Sequence, residues 1–84
     1  MISTRIIREV AEAHGLTPSD IIGRERTRPY SRARHEAMWR LYQVRLVDGR
    51  RRYSFPMLGR IFGRDHTVCL HGVRRHEARM GVEA

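Results

Sequence analysis

The sequence predicts an all-α fold, a small helical bundle that forms a single domain over residues 1–84. Apolar residues recur at helical spacing in successive short segments, and capping residues and glycines mark the ends of these segments. The chain has 84 residues, of which 40% are hydrophobic, so it can build one small core from three to five short helices.

The first two helices are predicted from their end signals. The Ser-Thr pair at residues 3–4 is expected to cap a helix that runs to about His14, where a glycine follows as a stop. The Thr-Pro-Ser-Asp sequence at 17–20 has the pattern of a capping box with proline at the first helical position, and Gly23 ends this second helix early. The apolar faces are expected from Ile6, Ile7, Val10, Ala11, Ala13, Ile21 and Ile22.

A basic loop is predicted over residues 24–32, because Pro29 breaks a helix and Ser31 can cap the next one. The third helix is then expected from about Arg32 to Val47. Its predicted buried stripe is Ala33, Ala37, Met38, Leu41, Tyr42 and Val44, with Trp39 at the edge. An arginine-rich second loop follows over residues 46–53, with a turn signal at Asp-Gly.

Residues 54–79 predict a helix-turn-helix motif. A short helix starts at Ser54 and ends near Phe62, a tight turn follows, and Asp65 caps a last helix that reaches about Arg79. Leu58, Ile61 and Phe62 are the expected core face, with Val68, Leu70 and Val73 partly inward. In this motif the second helix lies in the major groove of DNA and its first turn reaches base edges.

The charge balance favours an anionic partner. All 17 basic residues are arginine, against 9 acidic residues, and the net charge is +8. The absence of lysine fits a GC-rich genome, whereas the excess of positive charge indicates nucleic acid, with an anionic membrane as the rival partner. Because no apolar run approaches the length of a membrane span and Cys69 is the single cysteine, we expect a cytoplasmic, nucleoid-associated protein without membrane contact.

The sequence predicts neither an enzyme nor a cofactor. A Gly-x-x-x-x-Gly-Lys phosphate loop is absent from the sequence, which has no lysine to complete one. His66 and Cys69 share a helical face, but no second pair of residues has metal-ligand spacing, and Cys69 is better explained as a small core residue.

The run from Tyr53 to Thr67, followed by Leu70-His71, resembles a known signature. It is similar to S-L-P-E-I-G-x-x-F-G-G-R-D-H-T-T-V-x-H, which is typical of the C-terminal DNA-binding domain of DnaA, the bacterial replication initiator. Segments 10–22 and 31–38 also match this family in order and spacing, so that the resemblance covers about residues 6–76. It implies a helix-turn-helix domain that recognises a short double-stranded DNA site.

The resemblance also implies the DNA-contacting residues. The minor-groove arginine is carried over onto Arg32, with Arg34 at the backbone or groove edge, and Phe55-Pro56 would approach the backbone or a thymine methyl. In the first turn of the last helix, Asp accepts from cytosine, His donates to guanine, and Thr and Val pack on thymine. The complete predicted set is Arg28, Arg32, Arg34, Arg50, Arg51, Arg52, Phe55, Pro56, Arg64, Asp65, His66, Thr67 and Val68.

The chain departs from the family pattern in ways that bear on specificity. It has one glycine before Arg64 where the family has two, Val68 stands in place of a threonine, and residues 46–53 look like an insertion. We expect a sequence-specific duplex binder that regulates replication initiation or transcription and competes with a full-length initiator, of bacterial or phage origin. A protein-interaction adaptor or a nonspecific nucleic-acid binder is the alternative, and the oligomeric state stays open.

Overall fold

A computed structural model describes residues 2–23 and 28–81, and these residues form five helices. They are α1 (Ile2–Ala13), α2 (Pro18–Ile22), α3 (Arg28–Gln43), α4 (Phe55–Phe62) and α5 (His66–Met80). The prediction of an all-α fold is therefore confirmed. None of these helices combines the length and the apolar character needed to cross a bilayer.

Helix α3 lies at the centre and packs against all four other helices. The largest side chains that are fully enclosed are Phe62, Ile21, Met38, Leu41, Leu58 and Val10. Burying a side chain of this size stabilises the folded state by roughly 1.5–3 kcal/mol, so this small cluster is the main source of stability. Gly72 lets α5 approach α3 closely, because a Cβ at that position would lie 2.7 Å from Met38 Sδ.

The caps of α2, α4 and α5 follow the predictions. The Thr17 hydroxyl accepts from Asp20 N, and the Asp20 carboxylate accepts from Thr17 N at 2.9 Å. Ser54 caps α4 and Asp65 caps α5. Gly63 ends α4 in the left-handed region at φ +63°, where a residue without Cβ avoids strain, and the chain reverses there into α5.

Several predicted details of the helices are wrong. Helix α1 begins at Ile2, so Ser3 is an internal residue with 8% exposure rather than a cap, and Ala13 is exposed. Ile22, predicted on the apolar face of α2, is 40% exposed, and Val68, predicted to be partly inward, is 45% exposed.

Helix α3 also differs from its prediction at both ends. It starts at Arg28 rather than Arg32, because Pro29 occupies the first turn, where a missing N–H has no helical partner to lose. Ser31 therefore lies within the helix and is not its cap. Of the predicted basic loop, residues 28–32 are helical and residues 24–27 lie outside the described part of the chain.

The C-terminal end of α3 is Gln43, since the chain turns back there into a short hairpin, which we call the arginine hairpin (residues 44–52). Leu46 N donates to Arg50 O at 2.7 Å and Arg52 N donates to Val44 O at 2.9 Å. The predicted Asp48-Gly49 turn closes this hairpin. The insertion recognised in the sequence is thus an ordered element and does not extend α3.

Arg34 connects α3 to the C-terminal end of α2. Its side chain is buried, and the guanidinium donates to Ile21 O at 2.6 Å, Gly23 O at 3.0 Å and Asp20 O at 3.4 Å. Burial is the main cause that lowers the pKa of Arg34, followed by the charge of Arg64. The guanidinium still keeps its charge, because arginine is not deprotonated in proteins. It supplies donors to carbonyls that α2 itself leaves without a helical partner.

We therefore predict that Arg34→Met destabilises the domain by about 2–3 kcal/mol, because buried carbonyl groups lose their donor. Arg32→Met is the matched control, since Arg32 is exposed on the same helix, and it is expected to change stability by less than about 0.5 kcal/mol. Urea unfolding of both variants measures the difference. Equal free energies of unfolding for the two variants would contradict the structural role of Arg34.

Candidate nucleic-acid interface

The first turn of α5 presents a set of exposed polar side chains. Asp65, His66 and Thr67 are all exposed, and Val68 beside them is 45% exposed. The turn at Gly63 and the packing of α5 on α3 and α4 fix where this helix begins. The residues predicted to read bases therefore lie together on one helix end.

Asp65 organises this first turn. Its Oδ1 accepts from Thr67 N at 2.9 Å and also from the Thr67 hydroxyl, and His66 Nδ1 lies 3.5 Å from the same oxygen. The hydrogen bond from the Thr67 side chain is the main cause that lowers the pKa of the Asp65 carboxyl, followed by the bond from the Thr67 backbone. Asp65 is thus an ionised cap that also orients its two neighbours, while Oδ2 takes part in none of these contacts.

Arg64, in the turn before α5, makes internal contacts that sequence reasoning did not predict. Its guanidinium donates to Gly23 O at 2.6 Å, Phe62 O at 2.7 Å and Ile22 O at 3.3 Å. These bonds hold the helix-turn-helix against the end of α2. Backbone carbonyls engage the guanidinium groups of both Arg64 and the buried Arg34, so both residues have a structural role, and their predicted DNA contact stays a prediction.

Two predicted contact residues, Phe55 and Pro56, lie at the start of α4 and differ in their surroundings. The Phe55 ring stacks on Tyr42 with 4.3 Å between ring centroids, so it packs α4 onto α3. Pro56 is exposed. The Arg51 guanidinium lies 3.7 Å from the centroid of the Tyr42 ring and donates to Tyr42 O at 2.5 Å.

Arg51 therefore anchors the arginine hairpin beside α4, a structural role in addition to the phosphate contact predicted for it. The other hairpin arginines are more accessible. Arg50 is exposed and pairs with Asp48 at 2.7 Å, and Arg52 is exposed beside the Tyr53 ring. Arg45 is exposed as well, although sequence reasoning did not select it. The hairpin carries three exposed guanidinium groups on one anchored element.

Arg32 and Arg28 lie in the first half of α3. Arg32 is exposed and lines a cavity together with Arg75 and Arg79 of α5. Arg28 begins the helix, and its side chain lies outside the described part of the structure. The grouping of Arg32 with α5 was not predicted, because residues more than forty positions apart give no local signal of their proximity.

Cys69 and the histidines form no recognisable metal centre. Cys69 is buried, and burial is the main cause that raises the pKa of its thiol to about 11, as expected for a small core residue. Across residues 2–23 and 28–81, no group of three His, Cys, Asp or Glu side chains is placed to hold a metal ion.

Comparison with known proteins identifies the family. The sequence profile described as the bacterial dnaA protein helix-turn-helix matches residues 3–75. The chromosomal replication initiator protein DnaA of Ruegeria sp. (strain TM1040) is 47% identical over 73 residues, which cover 86% of this chain and 14% of that protein. The protein of the same name from Cereibacter sphaeroides (strain ATCC 17029 / ATH 2.4.9) is 41% identical over 80 residues, covering 94% of this chain and 16% of its own length.

A third relative, the chromosomal replication initiator protein DnaA of Caulobacter vibrioides (strain NA1000 / CB15N), is 40% identical over 74 residues, or 87% of this chain and 14% of that protein. The chain thus spans about one seventh of the length of these relatives. The resemblance carried by residues 53–71 is confirmed. With its helix-turn-helix between Ser54 and Met80, this chain belongs to the bacterial DnaA helix-turn-helix family.

Proposed function

We propose that this domain binds double-stranded DNA at a specific sequence and that the first turn of α5 reads the bases. The observation that carries the proposal is the exposed Asp65-His66-Thr67 turn on a helix whose start is fixed by the rest of the fold. In the helix-turn-helix plan this end of the second helix enters the major groove. Family membership supports the same use of the motif.

The side chains of the first turn have the donors and acceptors that base reading requires. The imidazole of His66 can donate to guanine N7, and the methyl groups of Thr67 and Val68 can pack on a thymine methyl. The carboxylate of Asp65 can accept from cytosine N4 through Oδ2, since its internal contacts use Oδ1. Val68 replaces a threonine of the family pattern, so we expect the preferred site to differ from that of the relatives.

The arginine hairpin is proposed to contact the phosphate backbone. It is anchored through Arg51 and Tyr42 next to the start of α4, and the first helix of a helix-turn-helix crosses the DNA backbone. The ion pair between Arg50 and Asp48 is exposed, so its contribution is small and a phosphate can replace the carboxylate. Pro56, exposed on the same end of α4, would lie against the backbone.

The biological role that fits best is occupancy of sites in replication control. The relatives are named as chromosomal replication initiator proteins, and this chain corresponds to a small part of their length. A domain that holds such sites would mark or block them, in competition with a full-length initiator. The alternatives are a nonspecific nucleic-acid binder and a protein-interaction adaptor. The ratio of affinity for the preferred duplex to affinity for unrelated duplex distinguishes them from this role.

The base readers provide the first test. His66→Ala and Thr67→Ala are each expected to weaken binding to the preferred duplex by about 1–3 kcal/mol, with little effect on unrelated duplex, because phosphate contacts remain. Asp65 is unsuited to this test, since its loss also removes the helix cap.

The matched control for these readers is His71→Ala, an exposed histidine on α5 that lies about 140° around the helix from His66. It is expected to leave affinity unchanged on both duplexes. Fluorescence anisotropy titrations at one fixed salt concentration measure all three variants. Equal losses on preferred and unrelated DNA for His66→Ala and Thr67→Ala would show that the turn does not read sequence.

The arginine hairpin gives a different expectation. Replacing Arg45, Arg50 and Arg52 by alanine should weaken binding to all duplexes alike, because phosphate contacts carry no sequence information. The slope of log K against log salt should become shallower by about 0.9 for each phosphate contact that is lost. Titrations between low and physiological salt measure this slope.

Two arginines on the outside of α1, Arg5 and Arg8, form the control for the hairpin, because their exposed side chains pair only weakly with glutamates one turn later. Their double alanine variant should keep the wild-type slope. A hairpin variant with unchanged affinity and slope would mean that the hairpin stays in solvent when DNA is bound.

A further inference from the structure

A cavity lined by arginines lies between the first half of α3 and the second half of α5. Its volume is about 390 Å³. We call it the α3–α5 cavity, and its walls are Ser31, Arg32, His35, Arg75, Ala78 and Arg79. It lies away from the first turn of α5.

The cavity concentrates positive charge. Arg32, Arg75 and Arg79 are exposed, and the charges of Arg32 and Arg75, after burial, lower the pKa of the Arg79 guanidinium. All three groups stay protonated, since arginine keeps its proton in proteins. In the described part of the chain, the ion pairs of the acidic side chains involve other cations. An anion from outside the chain would therefore relieve the repulsion among these three arginines.

His35 holds one of these arginines in place. Arg79 Nη2 donates to His35 Nδ1 at 2.6 Å. Burial is the main cause that lowers the pKa of His35 to about 4, followed by the charge of Arg79. The imidazole is therefore neutral at physiological pH, and its Nδ1 has a lone pair that accepts this bond. The guanidinium of Arg79 is fixed at the cavity wall before any ligand binds.

The position of the cavity along α5 relates it to DNA. Arg75 and Arg79 follow His66 by roughly 14 and 20 Å along the helix axis, at about 1.5 Å per residue. The major groove is about 12 Å wide. We take α5 to cross the groove when its first turn contacts base edges, an orientation that places the cavity beside a sugar-phosphate backbone.

We infer that the α3–α5 cavity binds one backbone phosphate of duplex DNA at the flank of the site that α5 reads. The planar forks of Arg75 and Arg79 match the geometry of a phosphodiester oxyanion. Arg32 and the hydroxyl of Ser31 complete the rim from the side of α3. This inference rests on the proposed function.

The test combines a double variant, Arg75→Ala with Arg79→Ala, with duplexes that carry a single neutral methylphosphonate. At 0.1 M salt each lost phosphate contact should weaken binding about eightfold, which follows from a slope of about 0.9 per contact. The double variant of Arg5 and Arg8, which removes the same charge from α1, is the control. Circular dichroism verifies that the variants remain helical.

The expected result is coupling at one position. Moving the methylphosphonate along the flanks should reveal one phosphate whose neutralisation weakens wild type but leaves the Arg75/Arg79 double variant unchanged. The α1 control variant should respond to that phosphate as wild type does. His35→Leu, which removes the acceptor for Arg79, should show a partial loss of the same coupling.

Three results would overturn the inference. The first is a double variant with the affinity and salt slope of wild type, while wild type still selects its duplex. The proposed function then stands, and the cavity has no part in it. Every methylphosphonate weakening wild type and double variant equally would likewise exclude the cavity. If wild type binds vesicles of phosphatidylserine and phosphatidylcholine and the double variant does not, while both bind DNA equally, the cavity is a site for lipid headgroups. Wild type that binds no duplex would instead refute the proposed function itself.

Discussion

Two guanidinium groups converge on the C-terminal end of α2, and the arrangement of the domain depends on this contact. Arg34 reaches it from α3 and Arg64 reaches it from the turn before α5, and both donate to Gly23 O. Helix α2 has five residues and is too short to be stable alone. Its carbonyl end carries partial negative charge, which favours the two cations despite their mutual repulsion. The contact therefore fixes the helix-turn-helix relative to the centre of the fold.

This internal use of arginine changes how the charge of the chain is interpreted. The net charge of +8 suggests a uniformly basic surface. However, the guanidinium groups of Arg34, Arg51 and Arg64 donate hydrogen bonds to backbone carbonyls. Each contacts carbonyl groups with a planar fork, for which the single ammonium of lysine is a poor substitute. Among the exposed arginines, two groups lie close together, one in the arginine hairpin and one around the α3–α5 cavity.

Local signals in the sequence predicted the parts of the fold that are decided locally. The capping box at residues 17–20, the tight turn after Phe62 and the Asp65 cap were all recognised, because each depends on residues within one turn. The start of α3 was missed, since a proline in the first helical turn has the same sequence appearance as a helix break. The end of α3 was missed because Val44 and Val47 continue an apolar spacing that the hairpin interrupts.

The candidate site was predictable where side chains are exposed on a single element, as in the first turn of α5. It was not predictable where an arginine has a distant backbone partner. The carbonyls that engage Arg34 lie 11 to 14 positions away, and a carbonyl group leaves no signature in the sequence. The stacking of Phe55 on Tyr42 and the grouping of Arg32 with Arg79 are likewise consequences of tertiary packing.

The central claim is that a rigid helical scaffold presents one short turn as a reader of DNA sequence. Selection from a pool of random duplexes with the purified chain, followed by titration of the enriched duplex and an unrelated one, tests it most directly. The account predicts one short consensus bound at least about 10³-fold more tightly than unrelated duplex at physiological salt. A pool that shows no consensus, with equal affinity for both duplexes, would contradict it.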